Sequence, residues 1–437
     1  MKRNLYIIIG VVVVAAIGIT AFIFLKGGSS PATLPGGTSG TLPGVNVPGG
    51  TGTQTGNGGT NGASDTTNTN GGAGAGAGQG TAVVNLGIIS DQKVFDYFVD
   101  ASNTVFTVAP DGTIAKIAAG QSSVLSSVPI NGLIDAQFSY NGAKILVTFG
   151  SQTSPQASLF DVASKAWTPL NPGMVSPQWS PSDMRIAYLT AGTSTALSTI
   201  DAVNPKKAAV PLLAANLQDL DLRWITKTQM ILESRPSALA QGSLLVFDMT
   251  AKTLTPIAYE KAGLTSAWVG VTSSTAPLGL IFSGTGGQYA LTLNDLKGSI
   301  AQTMNFLTLP SKCAFAIEKM APAAATSTAA TSTKTTSAKP VAPAPQPTYP
   351  ALYCGIPRDQ GAFSAIQLPD AYFERAIYTS DDLYKINAAT GAASTILANP
   401  AQNFDITQVR AANNMLFFVN RYDGKLYGLS FATSTPQ

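Results

Sequence analysis

Seven aromatic or apolar residues, Phe98, Phe138, Trp179, Trp224, Trp268, Phe315 and Val409, each head a similar strand-turn-strand passage along this chain. Their spacings run 40, 41, 45, 44, 47 and 94 residues, and the last spans an inserted Ala/Thr/Pro stretch that accounts for much of its excess. Four short strands and their turns consume about 40 to 50 residues, so the pattern predicts an all-β fold, a β-propeller of seven four-stranded blades. Six or eight blades are the alternatives. Because they recur at equivalent positions, the seven landmarks are expected to form a repeat core, each filling the same wedge between adjacent sheets, rather than a carbohydrate-stacking surface.

The second repeat shows the pattern most clearly. "IDAQFSYNGAKILVTF" (134–149) reads as strand, Asn-Gly turn and strand, and "ASLFDVASKAWTPL" (157–170) supplies a third and fourth. Period-2 alternation bounded by turn residues is the strand signal, and Asn141-Gly142 suits the positive φ angles of a tight hairpin. Third strands end near Asp161, Asp201, Asp248, Asn294 and Asn387. Side chains of this kind bond to backbone two residues on, so they read as turn caps rather than metal ligands.

The "FSYNG", "WSPSD" and "APDG" passages resemble the S-P-D-G turn repeats of TolB-type and related WD-repeat-like bacterial propellers. The resemblance covers about 94–437 and implies the propeller fold. TolB-type proteins carry an α/β domain ahead of the propeller, whereas here an apolar run and a glycine-rich stretch precede it, so no role in a Tol system is carried over. The layout is more similar to singly anchored envelope propellers of bacteria. The last repeat, "DITQVRAANNMLFFVN" and "GKLYGLSF", lacks a fourth strand, and "AVVNLGII" (82–89) is the candidate to complete it. That exchange would close the ring and remove two exposed sheet edges.

Residues 5–25 form an uncharged apolar run of 21, close to the ~20 that a helix needs to cross a bilayer core. Lys2 and Arg3 precede it and Lys26 follows, so the positive-inside bias places residues 1–4 in the cytoplasm and the remainder outside the cell membrane. A cleaved signal peptide is the competing reading, against which stand the length of the run and the lack of a small-x-small site. Residues 27–80 are dominated by Gly, Thr, Asn, Ser, Pro and Ala with Asp65 the only charge, the composition of a disordered linker reaching about 40 Å. The propeller is then expected over 82–437, with a disordered Ala/Thr/Pro insertion at 320–348. Of the formal +3, the residues flanking the apolar run contribute three positives and Asp65 one negative, leaving +1 for 81–437. So neutral a body lacks the field that phosphate-backbone binding needs, which argues against nucleic acid.

"KCAFAIE" (312–318) and "ALYCGIP" (351–357) flank that insertion as two strand-like pieces. Read as one hairpin with an expanded turn, they place Cys313 and Cys354 on neighbouring strands, where an extracytoplasmic location would let them oxidise to a disulfide. Two buried free thiols are the alternative.

The chain has no histidine, which excludes Ser-His-Asp and Cys-His catalysis and the usual zinc and copper centres; no cofactor or metal is expected. Ser90 and Lys93 have the S-x-x-K spacing without its companion motifs. Carboxylate pairs for glycan cleavage would have to come from acids such as Asp219 and Asp221, or Asp381 and Asp382, near the central channel; solvated turn acids are the competing reading. The expectation is a membrane-anchored, non-catalytic docking platform for a protein or envelope polymer. The alternatives are a glycan hydrolase or lyase with aspartates at the channel mouth, and a structural subunit of an envelope assembly. Buried acids converging at that mouth would favour the enzyme, an apolar exposed rim the docking surface.

Overall fold

The computed structural model describes residues 85–190, 195–215, 219–269, 277–319 and 348–430. The expected cytoplasmic segment 1–4, membrane span 5–25, linker 27–80 and all but the last residue of the insertion 320–348 lie outside them. Among the described residues no helix is long and apolar enough to cross a membrane.

The chain builds seven antiparallel four-stranded sheets. Blades 1 to 6 each use four consecutive strands, over 96–126, 133–169, 174–215, 220–262, 265–303 and 313–397. Blade 7 uses Ile406–Ala412, Met415–Asn420 and Lys425–Ser430, and its outermost strand is Asn85–Lys93, paired from Asn85↔Ser430 to Lys93↔Lys425. The first strand of each blade is the innermost, and most of these strands touch a neighbouring blade's first strand around a central channel.

Strand chemistry follows position in the blade. Second strands have sheet on both faces, and sequences such as Lys144-Ile-Leu-Val-Thr-Phe, Arg185-Ile-Ala-Tyr-Leu and Met415-Leu-Phe-Phe-Val are buried over four or five successive residues. Fourth strands face solvent and are short or polar, as in Gln121–Ser126 and Ala166–Pro169. Alternation along a second strand serves two neighbours at once. Ile145 and Val147 pack towards blade 1 and Leu146 towards blade 3. Seven clusters of buried apolar residues result among the described residues, one at each of the seven blade interfaces.

All seven landmark residues lie on innermost strands. Phe98 stacks on Phe138 across blades 1 and 2, with ring centroids 5.7 Å apart. The buried Trp179 donates from Nε1 to the Gln137 carbonyl of the preceding blade at 3.1 Å, and the Arg185 guanidinium of blade 3 sits 5.3 Å over the buried Trp224 ring of blade 4. Trp268 and Phe315 are half-buried against the clusters of blades 4/5 and 5/6, and Val409 is buried between blades 6 and 7. At the Asn141-Gly142 turn only Gly142 has positive φ, and a Cβ there would collide with the Phe98 ring. Asn141 instead accepts the Ala143 N–H through Oδ1 at 3.1 Å, a side-chain turn in place of the all-positive hairpin turn. Asp161, Asp201, Asp248 and Asn387 cap turns through backbone N–H groups. In blade 5 that role falls to Asp295, and Asn294 bonds to Thr292 and Gly298.

Cys313 and Cys354 are directly opposed on the first two strands of blade 6 and form a disulfide, Cα to Cα 4.1 Å, which removes the free-thiol alternative. The bond closes a segment with sequence separation 41, for which the chain-entropy model gives roughly 4 kcal/mol, less whatever pairing of the two strands already supplies.

Candidate functional site

Blade 6 departs from the array between Pro357 and Asp381. Where other blades turn directly from second to third strand, it inserts two short helices, α1 (Gln360–Ser364) and α2 (Asp370–Phe373). Asp359 caps α1 by accepting the Ala362 N–H at 2.8 Å. The insert lies across the channel mouth and is held from three blades. Asp370 accepts the Ala238 N–H of blade 4 at 2.8 Å, Tyr289 of blade 5 donates to the Ile366 carbonyl at 2.6 Å, and Arg421 of blade 7 donates to the Tyr372 carbonyl at 2.8 Å.

Under this cap the channel opens into a cavity of about 770 Å³. Its wall comes mostly from innermost strands of blades 1, 2, 3, 4 and 7, with Thr148, Gln152 and Pro155 of blade 2 and Arg235 and Pro236 of blade 4 added from the second and third strands and their turns, and Phe373 entering from the cap. Acids line it: Asp96, Asp135 and Asp221; so do the basic residues Arg223, Arg235 and Arg410 and the amides Gln137, Gln152, Gln178 and Gln408. Two lining residues, Ser176 (φ 47°) and Gln408 (φ 51°), occupy left-handed backbone within strand bulges. Both join blades: Ser176 Oγ accepts the Leu222 N–H at 2.8 Å, and the Gln408 carbonyl accepts from Tyr97 Oη at 2.6 Å. Strained backbone of this sort persists where the surroundings enforce it, often beside a site.

Arg410 is paired to Asp96 at 2.6 Å and donates to the Tyr97 carbonyl. Burial nevertheless outweighs the guanidinium and raises the Asp96 carboxyl to about 6. Burial also raises Asp135, whose carboxylate accepts from Gln137 Nε2 at 2.5 Å, and Asp221, 4.0 Å from Arg235. Behind the wall, Glu233 is raised by burial despite Arg223 at 3.5 Å, and Ser266 Oγ donates to it at 2.7 Å. The three channel acids also repel one another, Asp135 raising Asp96 and Asp221 raising Asp135.

The folded state therefore holds the Asp96 proton more tightly than an unfolded aspartate of ordinary pKa 3.8. This contributes stability, up to about 3 kcal/mol, that is complete below pH 3.8 and is lost as pH rises through about 6. The Asp96 carboxyl carbon resonance should titrate with a midpoint near 6. A midpoint at or below 4 would mean that Arg410, not burial, sets its charge.

Of the acids singled out in the sequence, only Asp221 lines the cavity. Asp219 has φ 52° and its carbonyl accepts the Arg235 N–H at 3.1 Å. Asp382 pairs with Arg358 at 2.8 Å, and Asp381 is fully buried against Lys312 rather than at the channel. Ser90 Oγ donates to the Gln92 carbonyl at 3.1 Å on the outermost strand of blade 7, far from a catalytic arrangement. Among the described residues no group of three or more Cys, Asp or Glu is placed to hold a metal ion.

Fold and site together define a seven-bladed propeller with a capped, polar channel mouth. No protein-family model matches the sequence, and no curated protein matches it either. Among solved structures, the chain is similar to an oligogalacturonate lyase in complex with manganese, at 7% identity and TM-score 0.51 over 81% of this chain and 95% of that one. It is also similar to TolB from Acinetobacter baumannii, at 10% identity and TM-score 0.37 over 69% of this chain; the match spans 63% of TolB, less than two thirds of it. A third is the propeller domain of the Trilobed protease from Pyrococcus furiosus, at 12% identity and TM-score 0.37 over 68% and 79% of the two chains. At these identities the likeness is one of fold.

Proposed function

We infer that this protein is a membrane-anchored propeller outside the cytoplasm that binds a segment of a protein or envelope polymer at its channel mouth, without catalysing a reaction. The observation that carries the reading is the composition of the cavity wall. On that wall Asp96 is paired with Arg410 and Asp221 lies 4.0 Å from Arg235, and four glutamines line the same cavity. Such a wall offers donors and acceptors of fixed direction with little net charge, which suits a chain rich in hydroxyl or amide groups more than an ion. Location outside the cytoplasm rests on residues 5–25 and agrees with the disulfide.

One observation favours the enzyme as a second reading. Three acids of raised pKa line the cavity, Asp96 buried and Asp135 and Asp221 partly exposed, an environment in which a carboxyl can serve as a general acid. Titration of peptide and cell-envelope glycan fragments into the wild-type head and into Asp135→Ala and Arg410→Ala variants separates the two. Binding should weaken about 5- to 100-fold in each variant, the range for a lost buried hydrogen bond, with fragments recovered uncut. Unchanged affinity in both variants would remove the channel as the site, and fragment cleavage abolished by Asp135→Asn would replace binding with catalysis.

A further inference from the structure

Beneath the cap, apart from the channel wall, lies a dry cluster that the binding reading does not use. Lys312 closes the 3₁₀ turn Pro310–Lys312 that leads into Cys313, and its side chain is fully buried. Its Nζ is 2.7 Å from Asp381 Oδ2 and 2.6 Å from Asp405 Oδ1, both carboxylates themselves fully buried. It also donates to Thr379 Oγ1 at 2.8 Å and Tyr372 Oη at 3.2 Å, and the Tyr372 ring lies 4.7 Å from it. Arg421 completes the cluster, 2.8 Å from Asp405 Oδ2.

The two acids are not equivalent. Asp405 Oδ1 accepts from Lys312, Tyr372 and Thr379, and Oδ2 accepts from Arg421 and the Thr379 N–H, so its negative charge is fully solvated by protein. Asp381 Oδ2 accepts from the Ile406 N–H at 2.7 Å, while its Oδ1 is buried with no hydrogen-bond partner. A carboxylate oxygen left bare in an apolar site is costly, whereas the carbonyl oxygen of a neutral acid or amide costs far less.

We propose that Lys312 and Asp381 condense into an intramolecular isopeptide bond, with Asp405 as the proton relay. The proton crosses the Nζ–H···Oδ2 contact, turning an ion pair into a neutral amine and a neutral acid; the cluster's net charge does not change. Nζ attacks Cγ of Asp381, and the new N–C bond gives a tetrahedral centre. Asp405 takes a proton from the nitrogen and returns it to the departing oxygen. That oxygen leaves as water, so ammonium plus carboxylate become amide plus water, with no oxidant, reductant or further reactant. Reacting groups held in contact and shielded from solvent supply the proximity that such a condensation lacks in water. Burial pushes Asp381 up, towards the neutral acid the step requires. Burial also disfavours charge on Lys312, but Asp381, Tyr372 and Asp405 outweigh it and hold the ammonium above its ordinary range, so the reactive pair is a minor tautomer and the reaction slow. Exclusion of water makes it one-way.

The product would tie the entrance of blade 6 to its third strand, beside a disulfide that already ties its first strand to its second. Both bonds then brace the blade that carries the cap and the segment 320–347.

The test is peptide mapping of the full chain after purification, days of incubation and reduction of the disulfide. The expected result is a branched peptide joining the stretches around Lys312 and Asp381, lighter than their sum by one water, with tryptic cleavage after Lys312 lost. Asp405→Asn should leave the two stretches as separate linear peptides, and so should Lys312→Arg. Quantitative recovery of linear wild-type peptides, cleaved after an unmodified Lys312, would overturn the proposal. So would a water loss mapping only to Asp111-Gly112 or Asp423-Gly424, where aspartyl-glycine cyclisation removes the same mass. A branched wild-type peptide that forms equally well in Asp405→Asn would refute the role of Asp405. A variant that fails to fold leaves the wild-type map decisive.

Discussion

Replacement of Lys312 by methionine should lower the unfolding free energy of the head at neutral pH by about 3 to 5 kcal/mol, the cost of removing one partner from a buried ion pair. The cluster is balanced, Lys312 and Arg421 against Asp381 and Asp405, and all of it is buried or nearly so. Methionine fills a similar volume but leaves one carboxylate without a counter-charge inside the protein. That carboxylate will take up a proton on folding, so the deficit must shrink as pH falls towards the ordinary aspartate range. Denaturant unfolding of the wild type and Lys312→Met at pH 7.5 and at pH 5 reads both effects. A deficit under 1 kcal/mol, or one independent of pH, would show that the cluster is solvated or relaxed in a way the buried geometry excludes. If the isopeptide bond has formed, the wild type no longer holds that ion pair; loss of the bond then adds to the deficit at both pH values, and the pH-dependent part reports the Asp381 carboxylate that Lys312→Met leaves unpaired.

Deletion of the closing strand should be at least as damaging. A chain starting at Val94 loses the ladder from Asn85↔Ser430 to Lys93↔Lys425 and bares the edge of Lys425–Ser430, which is otherwise a buried strand. The deleted strand is mostly exposed, so little apolar burial is lost, and the effect comes from backbone pairing and from an edge open to other chains. At about 1 kcal/mol net for each ladder hydrogen bond the loss is roughly 5 kcal/mol, about 10 °C in melting temperature, accompanied by aggregation. A chain starting at Asn85 is the control and should melt as the full chain does. Equal melting of the two shortened chains would mean that the seam between blades 7 and 1 is carried elsewhere. Arg410 with Asp96 and Tyr97 with Gln408 are the contacts that would have to carry it.

The architecture was readable in the sequence because each blade repeats one local pattern, and a landmark on the innermost strand recurs at nearly constant intervals through the first six blades. The disulfide was readable for the same reason, since Cys313 and Cys354 sit where other repeats place the first hairpin. The site was far less legible. Asp96 and Asp135 are single acids in otherwise ordinary strands, and only closure of the ring brings them near Asp221 and Arg410. The cap leaves only faint marks in the sequence, an Asp359 N-cap and a stretch from Gln360 to Arg375 without period-2 alternation. Asp381, expected as a turn acid near the channel, is instead fully buried and neutralised by a lysine 69 positions earlier in the chain, a pairing that no local pattern announces.

The pairing of Asn85 with Ser430 gives the ring a front and a back. Both residues lie at the end of blade 7 where its first strand turns into its second, and the stubs at Lys319 and Thr348 occupy the same end of blade 6. The cavity and the helical insert belong to the other end of the blades. A head bounded at Asn85 and Ser430 and coupled to a bead or sensor chip through either of those residues would therefore leave its front free for incoming molecules.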